Sequence, residues 1–299
     1  MAEQIPYTVK SANGDRVDPY YWMRDDKRQD PKVLAHLQAE NAYYQQYADK
    51  YQDLTNKLTD EIIGRIKQDD SSVPAKKGDY SFYTRYETGQ QYPVYLRKAL
   101  KTGEEQVILD VNKMAAGKDF YQVGNYAVSP DNNLVAYAED TNGRRQYTVR
   151  VRDLRTGKDL PDVLTGVEAS LAWSSDSKHL FYIEKDKQTL LGNKIRRHQL
   201  GEAVAKDVLM YEEKDTSFYT GIGNSSDDQF VVLWLGSTVS SEIRVLPANQ
   251  PTGEFKAIAP RQRDFKYEAD HLGNRWIIST DWNAPNNRIM AVADDQIGD

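Results

Sequence analysis

From Gly78 onward, short apolar runs alternate with polar turns, and one phrase keeps returning. It reads Ala127-Val128-Ser129-Pro130-Asp131-Asn132-Asn133-Leu134-Val135-Ala136-Tyr137, then Ala172-Trp173-Ser174-Ser175-Asp176-Ser177-Lys178-His179-Leu180-Phe181-Tyr182, then Gly223-Asn224-Ser225-Ser226-Asp227-Asp228-Gln229-Phe230-Val231-Val232-Leu233. The turn aspartates stand 45 and then 51 residues apart, with weaker echoes at Gly78-Asp79-Tyr80 and Gly273-Asn274-Arg275. Ser and Asp side chains bond their own backbone, Pro presets φ, and the flanking β-branched and aromatic residues suit a pleated surface, so each copy predicts a hairpin. A third extended run follows each hairpin, as in Tyr147-Thr148-Val149-Arg150-Val151-Arg152 before Thr156-Gly157, and a fourth closes the unit, as in Gln106-Val107-Ile108-Leu109.

Four antiparallel strands repeating at roughly 40 to 50 residues are the signature of a β-propeller blade. The expected fold is therefore mainly β: blades at 78–110, 120–165, 167–212 and 217–260, a linker at 111–119, and a fifth unit from Phe265 with three strands. That makes about four and a half blades. Propellers close on themselves and natural proteins avoid bare strand edges, so the expectation is an incomplete propeller over 73–299 and a chain that is a fragment.

Ahead of the blades, residues 1–72 carry a helical pattern. Asp30 reads as an N-cap with Pro31 at the first helical position. Leu37, Tyr44, Tyr51 and Leu58 recur every seven residues, with Leu34, Tyr47 and Leu54 on the same face. A break is expected at Thr55-Asn56, followed by a second short helix bearing Ile62, Ile63 and Ile66. The stripe calls for burial, and packing on another part of the same protein is favoured over a coiled coil because the stripe is short and rich in Tyr. The cluster Asp18-Pro19-Tyr20-Tyr21-Trp22-Met23-Arg24-Asp25-Asp26 reads as an apolar knot pinning the N-terminus.

Composition narrows the function classes. Twenty tyrosines and a hydrophobic fraction of 39% in 299 residues supply a core and argue against disorder. A net charge of -6 argues against a general nucleic-acid surface. No apolar run reaches membrane-spanning length and no leader follows Met1, so a cytoplasmic chain is expected, or a periplasmic one if a signal peptide preceded Ala2. The absence of cysteine excludes disulfides and thiolate metal sites, and neither a metal nor a cofactor is expected.

Residues in patterns that carry chemistry are few. There is no Gly-x-Ser-x-Gly elbow. His36, His179, His198 and His271 show neither metal spacing nor an obvious acidic orienter, and read as surface or core filler. Gly221-Ile222-Gly223 lacks the third glycine of a dinucleotide site. Asn224-Ser225-Ser226 fits a glycosylation sequon, yet reads as part of a blade turn. Blade geometry puts the connections from strand two to three, and from strand four to the next blade, on one face. Arg144 and Arg145 fall in the first kind of loop and Glu168 in the second, so the three are candidates for a charged rim facing a partner or substrate; solvated loop charges are the plain alternative.

Asp18-Pro19-Tyr20-Tyr21-Trp22-Met23-Arg24-Asp25-Asp26 resembles the N-terminal signature of the prolyl oligopeptidase family, and its Arg-Asp-Asp ending is similar to the oligopeptidase B branch. Further similarity runs through Arg144-Arg145-Gln146-Tyr147, Val167-Glu168, Arg197-His198-Gln199-Leu200-Gly201 and Tyr211-Glu212-Glu213-Lys214-Asp215. The resemblance implies a serine oligopeptidase that cuts short peptides after Arg or Lys. It also implies a seven-bladed propeller that excludes folded proteins from an α/β-hydrolase domain. The catalytic Ser, Asp and His would lie in that domain, outside this chain, so no catalytic residue is assigned here. By the same resemblance, Trp22 and the Leu37, Tyr44, Tyr51 and Leu58 stripe would pack on the hydrolase domain. Arg144, Arg145 and Glu168 would be interdomain or substrate-facing contacts. The alternative is a stand-alone propeller that binds peptides or a protein partner without catalysis.

Overall fold

The structure, a computed structural model, describes residues 2–298 and divides into two units, Met1–Gln68 and Asp69–Asp299. In the first unit, β1 (Tyr7–Val9) and β2 (Arg16–Asp18) form an antiparallel ribbon. Helix α1 (Pro31–Ala48) begins where expected: the Asp30 carboxylate accepts the backbone N–H groups of Lys32 at 2.8 Å and Val33 at 3.4 Å, with Pro31 at the first helical position. The break between the helices falls earlier than the sequence suggests. It is a turn of 3-10 helix at Asp49–Tyr51, and α2 (Gln52–Arg65) runs straight through Thr55-Asn56. Asn56 is held on the helix surface by Gln52, whose Nε2 donates to Asn56 Oδ1 at 2.8 Å, so its amide does not compete for backbone groups.

The second unit is a run of blades. The first contains β3 (Ala75–Lys77), β4 (Tyr80–Arg85), β5 (Val94–Ala99) and β6 (Glu105–Asp110) in sequential antiparallel order. Its innermost strand thus precedes Gly78, which occupies the hairpin turn at φ 56° rather than opening the blade. The expected linker at 111–119 holds a short helix, α3 (Val111–Ala115), capped by the Asp110 carboxylate on the Lys113 N–H. The second blade has β7 (Gln122–Val128), β8 (Leu134–Asp140) and β9 (Tyr147–Asp153).

Blades two and three are not joined by a loop. A single strand, β10 (Lys158–Trp173), closes one and opens the next, making one seven-stranded sheet with β11 (His179–Lys185), β12 (Gly192–Gln199) and β13 (Val208–Glu212). Val167 is the pivot, paired with Tyr147 on one side and with Glu184 on the other, and register shifts flank it. Glu168 therefore sits on a strand next to that pivot, not in a loop. The fourth blade holds β14 (Tyr219–Asn224), β15 (Phe230–Gly236), β16 (Ser241–Pro247) and β17 (Lys256–Ala257); the fifth holds β18 (Tyr267–Leu272), β19 (Arg275–Thr280) and β20 (Arg288–Ala293).

Period-two alternation places apolar side chains on both faces of each blade, and these faces stack. Val231, Leu233 and Leu235 of β15 pack against Phe181, Ile183 and Ile195 of the third blade, while Val232 points the other way, to Tyr267 and Trp276 of the fifth. Trp173 and Leu180 meet Val149 and Val151 of the second blade in the same manner. Each such fully buried side chain contributes about 1.5–3 kcal/mol.

The recurring turn is built alike in all three strong copies. The hydroxyls of Ser129, Ser174 and Ser225 donate to Asp131, Asp176 and Asp227, and accept the N–H groups of Leu134, His179 and Phe230 at 3.0, 3.1 and 3.0 Å. Asn132, Ser177 and Asp228 take positive φ of 61°, 57° and 59° to close them.

Candidate functional site

The strand-two-to-three loop of the second blade is shaped by one buried carboxylate. Asp140, at the end of β8 and 1% exposed, accepts the backbone N–H groups of Asn142 at 3.0 Å, Gly143 at 3.0 Å and Arg145 at 2.8 Å. This wraps residues 141–145 into a tight turn and holds Arg145 at φ 53°, a left-handed conformation unusual for a side-chain-bearing residue. Arg144 is half-buried and Arg145 exposed.

Lys185, at the end of β11, ties this turn to Glu168. Its ammonium donates to the Arg145 carbonyl at 2.9 Å and pairs with the Glu168 carboxylate at 2.8 Å. The structure therefore joins the turn that carries Arg144 and Arg145 to Glu168 through a lysine that the sequence reading passed over. Gly192 leaves the room: a Cβ there would stand 2.7 Å from Glu168 Cγ and 2.9 Å from Ile183 Cγ2.

The helical candidates belong to the first unit. Trp22 packs locally, its indole N–H donating to the Glu3 carbonyl at 2.9 Å, its ring 5.7 Å from that of His36 and 4.8 Å beneath the Lys32 ammonium. The stripe that called for burial is uncovered, with Leu37, Tyr44, Tyr51 and Leu58 exposed at 53, 66, 48 and 48%.

All four histidines do have acidic partners, contrary to the sequence reading, beginning with His36, whose Nε2 lies 3.9 Å from the Glu40 carboxylate one helical turn on. His179 Nδ1 lies 3.0 Å from Asp176 in its own turn. His198, fully buried, stands between Asp207 at 2.7 Å and Asp162 at 2.9 Å. His271, also fully buried, stands between Asp227 of the fourth blade at 2.7 Å and Asp294 at 3.0 Å, with the Phe230 and Trp276 rings against it. Burial favours the neutral His271 ring, but the bonds and charges of both carboxylates outweigh it and raise its pKa. Partners 44 and 23 residues away in sequence gave no local signal.

A second cluster went unread. Arg261 lies over the Phe218 ring at 3.7 Å and reaches both Glu213 and Glu242, each nearly buried, pairing at 2.5 and 3.1 Å. Burial pushes the Glu213 carboxyl up, yet the Arg261 guanidinium holds it below the usual range. A cleft of about 440 Å³ lies among the inner strands, lined by Lys77, Tyr126, Ser129, Trp173, Asn224 and Asp228, and Lys77 pairs with Asp228 at 2.8 Å across it. No helix among the described residues is long and apolar enough to cross a membrane.

Comparison with known proteins completes the site's context. The chain is 49% identical to a dipeptidyl aminopeptidase BI from Pseudoxanthomonas mexicana, over 94% of this chain and 41% of that protein. It is 28% identical to protease 2 from Moraxella lacunata, over 97% of this chain and 43% of that one. Among solved structures, oligopeptidase B from Leishmania major superposes with a TM-score of 0.90 at 29% identity, covering 99% of this chain and 44% of the other. The chain thus spans about two fifths of the length of the curated relatives it matches. The family model described as "Prolyl oligopeptidase, N-terminal beta-propeller domain" matches residues 2–297, and the chain accordingly belongs to the prolyl oligopeptidase family through that domain.

Proposed function

We propose that this chain is the helical extension and propeller of an oligopeptidase B-like serine peptidase that hydrolyses short peptides after Arg or Lys. The observation that carries this reading is the likeness, over nearly the whole chain, to oligopeptidase B from Leishmania major in both sequence and fold. The propeller over 73–299 limits access by substrate size. The Ser, Asp and His of the reaction belong to an α/β-hydrolase domain outside these residues, so the isolated chain is inactive. The uncovered stripe Leu37, Tyr44, Tyr51 and Leu58, with Trp22 beside it, supports a packing role against that domain, since so much clustered apolar surface is otherwise costly to leave in water. Arg144, Arg145 and Glu168 face substrate or that domain. The compartment is the cytoplasm, or the periplasm if a signal peptide is removed.

The relative named as a dipeptidyl aminopeptidase favours a second reading, release of dipeptides from free N-termini. Isolation of the native protein through a peptide of this chain tests both. The expected intact mass is roughly twice 34.2 kDa, with hydrolysis of an N-blocked Arg reporter that a serine-directed inactivator abolishes. Turnover of unblocked dipeptide reporters alone would favour the second reading. A mass near 34.2 kDa with no hydrolysis would replace both with a peptide-binding propeller.

A further inference from the structure

Charge in the propeller unit is mostly spoken for. Arg150, Arg152, Arg155, Arg196, Arg244 and Arg261 each face a carboxylate. Among the described residues Arg144 and Arg145 have no ion-pair partner, as is also true of Arg97, Arg197, Arg275 and Arg288, but Arg97 and Arg197 donate to carbonyls and Arg288 lies over Trp282, whereas the Arg144 Nε is buried without an acceptor. The nearby acids are already engaged, Asp140 by three backbone N–H groups and Glu168 by Lys185. Two adjacent forks of donors thus stand unneutralised on a turn whose backbone is fixed by Asp140 and Lys185. A buried donor lacking an acceptor costs free energy until one arrives. The planar guanidinium fork matches a carboxylate better than any other common biological anion except phosphate.

The geometry points to the Arg144–Arg145 turn as a carboxylate-binding site that receives the C-terminal carboxylate of a short peptide. This rests on the peptidase reading above, in which the rim faces substrate. Every short peptide carries such a terminus close to its scissile bond, whereas most bonds of a long chain lie far from its end, so the site adds a preference for short substrates to whatever the propeller excludes by size. Asp140 and Lys185 are positioning residues that hold the turn.

The test is fluorescence anisotropy of a labelled five-residue peptide with one arginine, offered as the free acid and as the C-terminal amide to the native protein after treatment with a serine-directed inactivator. The acid is expected to bind at least about tenfold more tightly, the scale of one charge-assisted pair. Combined Arg144→Ala and Arg145→Ala substitution should reduce the acid to the level of the amide, while Arg263→Ala, an exposed arginine elsewhere, changes nothing; thermal unfolding checks that each variant is folded. Equal binding of acid and amide, or no binding of either at millimolar peptide, overturns the proposal. Equal binding with intact hydrolysis in the native protein would leave the peptidase reading standing. Acid-dependent binding without hydrolysis would do the reverse. If the carboxylate came from another part of a longer polypeptide, the double substitution would lower the native protein's thermal stability without changing the acid-to-amide ratio, and the peptide proposal would fall.

Discussion

Asn224 and Trp173 exchange two hydrogen bonds across neighbouring blades: the Trp173 N–H donates to Asn224 Oδ1 at 3.0 Å, and Asn224 Nδ2 donates to the Trp173 carbonyl at 2.9 Å. The amide side chain thereby stands in for a peptide group and stitches β10 to β14. It also consumes the sequon Asn224-Ser225-Ser226, whose Asn is engaged at the blade junction and not displayed on a surface loop. Asn224→Asp keeps the shape but loses the donor, leaving the Trp173 carbonyl unpaired. A loss of about 1–3 kcal/mol is expected in denaturant titration; a neutral result would show that the stitch is dispensable.

Gly124 offers a packing test. A Cβ at this position would stand 2.4 Å from Tyr147 Cε1 and 3.0 Å from the Ala169 Cβ. Tyr147 is buried and opens β9, two residues after the Arg144–Arg145 turn, so Gly124→Ala must displace the ring. We expect destabilisation of about 1–3 kcal/mol, read as a lowered unfolding midpoint.

Arg261 neutralises two nearly buried carboxylates at once. Arg261→Met keeps an apolar side chain beside Phe218 but removes the guanidinium that lies over its ring and bonds both carboxylates. About 3 kcal/mol should be lost, because a buried ion left without its partner is the expensive case. Adding Glu213→Gln and Glu242→Gln should recover part of that loss, and failure of the rescue would locate the cost in packing.

His271 makes stability depend on pH. Its raised pKa means that its contribution is fully present below about pH 6.5 and is lost as pH rises through the raised value. Burial pushes Asp227 up, but the bonds from His271 and Ser225 prevail and lower it, so its contribution is present above about pH 3.9 and is lost as pH falls through the lowered value. Both are fully in place between those limits. The unfolding midpoint should therefore peak in mildly acid solution, and His271→Gln should flatten the decline on the alkaline side; an unaltered alkaline limb in the variant would refute the assignment.

Arg145 allows stability and binding to be separated. Arg145→Gly relieves the left-handed φ of 53° at an entropic cost in the unfolded chain, so folding should change by less than about 1 kcal/mol. Binding of a peptide acid should weaken all the same, since a guanidinium is gone. Parallel calorimetry of unfolding and peptide binding separates the two effects.

Local chemistry was legible wherever the interacting groups lie within a few residues. Asp30 and Pro31 announced the start of α1, and the Ser-x-Asp turns with their flanking apolar runs announced the hairpins and hence the blades, because caps and turns are satisfied by their own neighbours. Two local readings shifted on folding. The helix break moved to Asp49–Tyr51, and Glu168 moved from a loop onto β10, since the backbone around Val167 gains ladder partners in two blades by staying extended.

What the sequence determined by itself was thus the repeating hairpin, the blade period, the helical stripe and the family resemblance, all carried by near-neighbour patterns. Tertiary structure alone decided which distant charges meet: His271 with Asp227 and Asp294, Arg261 with Glu213 and Glu242, and Lys185 between Arg145 and Glu168. These pairs form where blades stack, and the stacking is driven by apolar burial, which is non-directional. Polar partners are selected only after those faces have closed, so nothing in the spacing of the residues along the chain foretells them.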